Sequence, residues 1–159
     1  MGTPVFVPAV FYKDPLAALK WLERAFGFET VSLVTDADGN VAHSEMAFQG
    51  GYITVGGEWQ SAELVGPARM RSPATIEGVN TQMIRVHLPD GLDAHCEAAR
   101  AAGATIVAEP ETQFYGARVY RALDPEGHVW NFSQEIEVVS GAEMEARSGL
   151  TIRDSLKEA

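Results

Sequence analysis

Several kinds of residue and segment are scarce in this chain, and each scarcity excludes something. There is one cysteine, Cys96, so no internal disulfide can form, and a reducing cytoplasm is the compartment expected. Cys96 also sits in an alanine-rich helical stretch with nothing beside it to activate a nucleophile. No run of 18 apolar residues occurs, so no membrane span is expected. The first residues lack a charged segment followed by an apolar one, so no secretory signal is expected either. Basic residues are few: 12 Lys and Arg against 22 Asp and Glu leave a formal net charge of −10 and no basic face for nucleic acid. That acidity reads first as a solvated surface and only weakly as a preference for a cationic ligand. A phosphate-binding glycine loop, a nucleotide fingerprint and a Ser/His/Asp signature are all missing.

What is present is the composition of a globular domain, 46% hydrophobic and 21% charged, in a chain of 159 residues able to bury a core without disulfides. Self-similarity organises it. Residues 14–28 (DPLAALKWLERAFGF) and 90–104 (DGLDAHCEAARAAGA) align without a gap. They share Asp14/Asp90, Leu16/Leu92, Ala18/Ala94, Arg24/Arg100, Ala25/Ala101 and Gly27/Gly103. Each stretch reads as a helix with an Asp N-cap and a glycine stop. Alternating β-rich segments flank both: 4–13, 30–36, 40–49 and 52–57 around the first, and 81–89, 104–110, 117–124 and 128–134 around the second. Each half is therefore β-α-β-β-β. The expected organisation is one α+β domain over 1–136, with module one at 4–57, a connector at 58–79 and module two at 80–136. Residues 137–159 read as a C-terminal tail of one broken or two short helices, with Ser140 as a cap.

Strand alternation sorts the side chains. Met46 and Phe48 share one face, and His43, Glu45, Ala47 and Gln49 the other. Ile84, Val86 and Leu88 oppose Met83, Arg85 and His87. Trp130 and Phe132 oppose Val129, Asn131 and Ser133. A two-residue turn at Gly50-Gly51 would pair Ala47 with Thr54 and Glu45 with Gly56, placing Thr54 beside His43 and Glu45. The apolar faces belong under the helices. The mixed face is either the solvated side of an open sheet or the lining of a cavity.

The stretches DPLAALKWLERAFGFE, DAHCEAARAAGA and YGARVYRALDPEGHVWNF resemble the vicinal-oxygen-chelate superfamily. Its members include glyoxalases, extradiol dioxygenases, epimerases, fosfomycin-modifying enzymes and bleomycin-sequestering proteins. The likeness spans residues 5–135 and is similar to the bacterial glyoxalase-like subgroup. It implies two βαβββ modules whose mixed sheets curl around a cleft, usually in a homodimer. In the enzymes of that superfamily, four side chains from the first and fourth strands of each module hold a divalent metal; His, Glu and Gln are usual. The matching positions here are Val7, Thr54, Met83 and Asn131, and the neighbours Ala9, Phe11, Tyr52 and Gly56 are no better as ligands. No cofactor is therefore expected, with a divalent metal only in an atypical site.

The cavity face would then hold His43, Glu45, Arg85, His87 and Asn131. His43 and Glu45 are the candidate catalytic pair, able to move a proton near neutral pH. Glu45 and Arg85 are candidates to pair, leaving a guanidinium fork for an anionic or carbonyl group. Phe11, Thr54, Trp59, Arg85, His87, Tyr115, Arg118, Tyr120 and Asn131 are the candidate ligand contacts, with Trp59 and Met70 in the connector able to close over an apolar ligand. His128, in the Asp-Pro-Glu-Gly-His turn, reads as structural. The leading expectation is a metal-free, dimeric small-molecule-binding protein of sequestering or antibiotic-resistance type. The alternative is a lyase, isomerase or dioxygenase with an atypical site. A third reading gives the role to the C-terminal tail as an interaction element.

Overall fold

The computed structural model describes residues 3–59 and 67–156; connector residues 60–66 and tail residues 157–159 lie outside the described residues. Module one runs β1 (Ala9–Tyr12), α1 (Pro15–Phe26), β2 (Glu29–Thr35), β3 (Val41–Phe48) and β4 (Gly51–Gly57). Module two runs β5 (Ile84–His87), α2 (Leu92–Ala101), β6 (Thr105–Thr112), β7 (Ala117–Leu123) and β8 (Val129–Glu135), and α3 (Gly141–Ser148) follows. The duplication carries through to topology. The sheets have the orders β1-β4-β3-β2 and β5-β8-β7-β6. In each, the first strand is parallel to the fourth and the other pairs are antiparallel.

The two helices begin differently despite their matched sequences. Asp14 caps α1, its Oδ1 accepting from the Ala17 amide at 3.0 Å, and Gly27 at φ +74° ends the helix. Helix α2 starts one residue later than the alignment implies. Gly91 occupies its N-cap without a side-chain bond, and Gln134 Oε1 takes the Leu92 amide at 3.0 Å instead. Asp90 is therefore not the cap that the repeat suggests, because Gln134 of β8 already reaches the first free amide.

Both helices cover one continuous core. The buried face of α1 is Ala18, Leu19, Trp21, Leu22, Ala25 and Phe26, the spacing of an apolar stripe. Phe26 packs edge-on against Trp130 at 5.6 Å and Phe132 at 4.7 Å, so a helix of module one covers a strand of module two. Trp21 Nε1 donates to the Ala102 carbonyl at 2.8 Å, at the end of α2. Burying a ring such as Phe26 contributes about 2–3 kcal/mol, and this burial needs both modules.

The sheets meet where β1 approaches the start of β5 and β8. Gln82 Nε2 donates to the Ala9 carbonyl and His128 Nε2 to the Phe11 carbonyl, each at 2.6 Å. Glu126 accepts from the Lys13 amide at 2.7 Å, the Asp14 amide at 3.1 Å and Ser72 Oγ at 2.6 Å. His128 is buried and structural, as its turn suggests.

Two local expectations change. The β3–β4 turn is Gln49-Gly50, both at positive φ, rather than Gly50-Gly51. Glu45 consequently faces Thr54 and Ala47 faces Tyr52. A hairpin turn of this type wants glycine at its second central position, and Gly50 takes it, so the register moves by two and every face is kept. In the tail, Ser140 forms a capping box with Glu143 at the start of α3, and Gly149 at φ +72° stops it. No second tail helix forms among the described residues.

Candidate functional site

Each sheet has one face under the helices and one open face. On the open face of module one, the register aligns Ala9, Thr54, Glu45 and Ser32 in a row across the strands. Phe11 lies opposite Gly56, and His43 opposite Val34. On the open face of module two, Arg85, Asn131, Arg121 and Ala108 form one row, and His87, Ser133, Val119 and Glu111 the next. The expected residues Phe11, His43, Glu45 and Thr54 are thus gathered on one sheet, and Arg85, His87 and Asn131 on the other.

His43 and Glu45 approach to 3.9 Å between Nε2 and Oε1, with side chains 51% and 40% exposed. That separation exceeds a hydrogen bond and the pair is largely solvated. Glu45 does not pair with Arg85: among the described residues its ion-pair partner is His43, two positions away on its own strand.

Trp59 stands edge-on to Phe11 with ring centroids 5.3 Å apart, while its amide donates to the Met70 carbonyl at 3.0 Å. The two sides of the connector therefore bridge to each other and set Trp59 over the end of β1. Glu58 holds that bridge in place by accepting from Thr75 Oγ1 at 2.6 Å and the Ser72 amide at 3.2 Å.

Three expected contacts lie elsewhere. Tyr120 is completely buried on the helix side, where its ring stacks on Phe132. Its hydroxyl donates to His95 Nδ1 at 2.7 Å, since His95 Nε2 must donate to the Phe26 carbonyl at 2.9 Å. Arg118 also points to the helix side and holds Asp93 of α2 at 2.8 Å. Tyr115 is at the tip of the β7 hairpin, edge-on to Phe114, away from the sheet rows. Strand alternation explains the exchange: positions 118 and 120 share the covered face, so 119 and 121 share the open one. Arg121 is the residue that sequence reasoning missed, and the alternation of β7 carried the signal.

A cavity of about 310 Å³ opens between the β3–β4 hairpin and β5. Phe28, Phe48 and Trp130 line it, and Tyr52, Arg85 and His87 border it. Its aromatic lining reads in the sequence as ordinary core, whereas Arg85 and His87 at its border are among the expected ligand contacts.

Val7 and Met83 both precede their strands. The observed register instead sets Ala9 beside Thr54 and Arg85 beside Asn131. Asn131 is 8% exposed, and its Oδ1 is buried without a hydrogen-bond partner. Among the described residues, three metal-capable side chains converge only at Cys96, Glu97 and Glu109. That group lies on α2 and β6, away from the open-face rows, and Arg100 occupies Glu109 at 2.7 Å. No described helix is long and apolar enough to cross a membrane.

Comparison with known proteins agrees with this architecture. An uncharacterized protein of Mycobacterium tuberculosis, Rv0887c, is 26% identical over 144 residues, covering 90% of this chain and 81% of that protein. The structure of TioX from Micromonospora sp. ML1 superposes with a TM-score of 0.67 at 27% identity, covering 84% of this chain and 100% of TioX. A glyoxalase/bleomycin resistance protein/dioxygenase from Nocardioides superposes at 0.61 with 20% identity, covering 86% and 87%. Residues 6–132 match the family described as the Glyoxalase/Bleomycin resistance protein/Dioxygenase superfamily, and the chain belongs to it.

Proposed function

We propose that this chain is a small-molecule-binding protein of its superfamily, holding its ligand on the open sheet faces by hydrogen bonding and charge rather than through a divalent metal. The observation that supports the reading is the set Ala9, Thr54, Arg85 and Asn131, neighbours across the first and fourth strands of each module, the strands from which the superfamily's metal enzymes draw their ligands. Alanine has no donor, threonine and asparagine are weak neutral ones, and a guanidinium repels a cation. This donor set does not fit a divalent metal. A ligand-sequestering role suits such a face, since a mixed polar and apolar surface orients a small molecule without reacting with it.

The reading includes a homodimer in a reducing cytoplasm. Val5 and Phe6 are each 88% exposed just ahead of β1, an apolar pair that a second copy would cover. Elemental analysis of protein produced with Ni, Zn, Mn and Fe supplied tests the central point. Less than stoichiometric metal is expected, and one equivalent lost on Asn131→Ala substitution would overturn it. Light scattering should report twice the chain mass.

An enzymatic reading, as a lyase, isomerase or dioxygenase, would rest on His43 and Glu45, which share an open face. Their separation and solvation favour binding over proton transfer. Turnover of a dicarbonyl or catechol compound that disappears in the His43→Ala and Glu45→Ala variants would establish it instead.

A further inference from the structure

The cationic row on module two has a composition of its own. Arg85 is the direct strand partner of Asn131, and Asn131 that of Arg121, so the three side chains stand abreast across β5, β8 and β7. With strands about 4.8 Å apart, the two arginine Cα atoms are separated by about 10 Å, with the amide midway. Arms of that length converge readily on one group above Asn131.

Four other arginines, Arg71, Arg100, Arg118 and Arg147, each hold a carboxylate within 4.0 Å. Arg85 and Arg121 are exposed and form no ion pair among the described residues, in a chain of net charge −10. Acidic residues stand on the same face, Glu111 in the adjacent row and Glu135 one row further, yet neither forms an ion pair with these arginines among the described residues. Asn131 stands between the two arginines in the strand register, and its Oδ1 is, among the described residues, the buried side-chain atom left without a hydrogen-bond partner. A buried acceptor in that condition calls for a donor, which a ligand can supply. On one side of the row are Val129 and Leu123, paired across β8 and β7; on the other is the row of His87 and Ser133.

We propose that Arg85, Asn131 and Arg121 bind a small organic carboxylate. The carboxylate lies between the guanidinium forks, a hydroxyl or amine next to it donates to Asn131 Oδ1, and the apolar body rests over Val129 and Leu123. Paired guanidinium–carboxylate hydrogen bonds are charge-assisted and directional, which suits recognition by arginine. The inference rests on the reading that the open face of module two receives the ligand, and it names the ligand's chemistry. It also reverses the expectation from net charge: what a ligand meets is the local row, not the total of the chain.

The test uses the full chain, labelled with nitrogen-15, and four probes followed by amide shifts. Mandelate carries the carboxylate, the adjacent hydroxyl and an apolar ring. Phenylacetate lacks the hydroxyl, methyl mandelate lacks the charge, and 2-phenylethylamine reverses it. Mandelate should shift amides of β5, β7 and β8 at millimolar concentration, with phenylacetate weaker. Methyl mandelate should bind at least about tenfold more weakly, as should mandelate to Arg85→Gln or Arg121→Gln. Arg118→Gln, on the covered face, should leave mandelate binding unchanged, and thermal melts identify any variant that fails to fold. Equal shifts from the ester or the amine on these strands would overturn the carboxylate assignment while leaving the ligand face standing. Shifts confined to other elements would overturn both, and no mandelate shift at all would overturn the carboxylate assignment.

Discussion

The hydroxyl of Tyr12 donates a 2.6 Å hydrogen bond to Oδ2 of Asp124, joining the end of β1 to the turn before β8 across 112 positions. Both residues are buried. Asp124 also accepts from Trp130 Nε1 at 3.1 Å and, through Oδ1, from the amides of Glu126 and His128 at 3.0 Å. Burial, with the neighbouring Asp124 charge second, pushes the Tyr12 phenol well above its ordinary range and keeps it a donor. The Asp-Pro-Glu-Gly-His turn is therefore the fastener between the modules. Asp124 takes the ring donors, Glu126 takes the backbone ahead of α1, and His128 takes the Phe11 carbonyl.

Tyr12→Phe removes one donor from a carboxylate that keeps three, and should lower stability by about 1.5–3 kcal/mol. Asp124→Ala strands the Tyr12 hydroxyl and Trp130 indole together and should lose about 3–5 kcal/mol. Urea denaturation of both variants measures the difference. Equal losses would mean that the turn does not fasten the modules.

His95 should make stability depend on pH. Burial is the main influence and holds its imidazole below the ordinary value, outweighing the Phe26 carbonyl that favours the charged form. With Nε2 donating to Phe26 and Nδ1 accepting from Tyr120, a second ring proton would reverse the Tyr120 bond and place a charge on a largely buried ring. The unfolded chain then binds more protons than the folded one as pH drops through the imidazole range. Stability from this group is fully present above about pH 6.5 and falls below it, by at most about 1.4 kcal/mol per pH unit. Melting temperatures across that range should show the slope, and His95→Gln should flatten it. An unchanged slope in that variant would assign the effect to other groups.

Asp14 and Asp90 match in the repeat but should respond differently to alanine. Asp14→Ala removes the α1 cap and should lose about 1 kcal/mol. Asp90→Ala should stay within about 0.5 kcal/mol, because Gln134 satisfies the α2 amide. Thermal unfolding of the two single variants decides it.

Gly116→Ala should be among the most damaging single-methyl additions. Gly116 has φ +88°, and a Cβ there would meet Val139 Cγ2 at 2.7 Å as well as the Glu137 carbonyl. That segment passes from β8 to α3, and its amides at Ile136 and Glu137 both donate to Gly116 O. A loss of about 2 kcal/mol or more is expected, with faster hydrogen exchange in 136–148 than in β5. Uniform exchange would show that the tail does not depend on this packing.

Much of the architecture was legible because it is local. The matched helices, the eight strands and the Ser140 cap follow from residues that act within a few positions of themselves. The Gln49-Gly50 turn shows where local reading stops, since either glycine assignment keeps the alternation and only the ladder chooses between them. Strand β7 shows a second limit. Its Ala-Arg-Val-Tyr-Arg stretch carries a polar or aromatic residue on both faces, and α2 decides which is covered by offering Asp93 to Arg118 and His95 to Tyr120. The sequence puts Tyr120 among the expected ligand contacts, whereas the structure uses its hydroxyl inside the core.

The sequence alone determined that this protein is a βαβββ unit made twice, because hydrophobic period, glycine stops and turn residues are properties of contiguous segments. It also determined that the open faces would carry His43, Glu45, Arg85, His87 and Asn131. Only the tertiary structure decided which of these stand together. Arg85, Asn131 and Arg121 come from three strands whose mutual register is set by the whole sheet packing on its helices. No short segment contains the information that places a buried amide between two arginines.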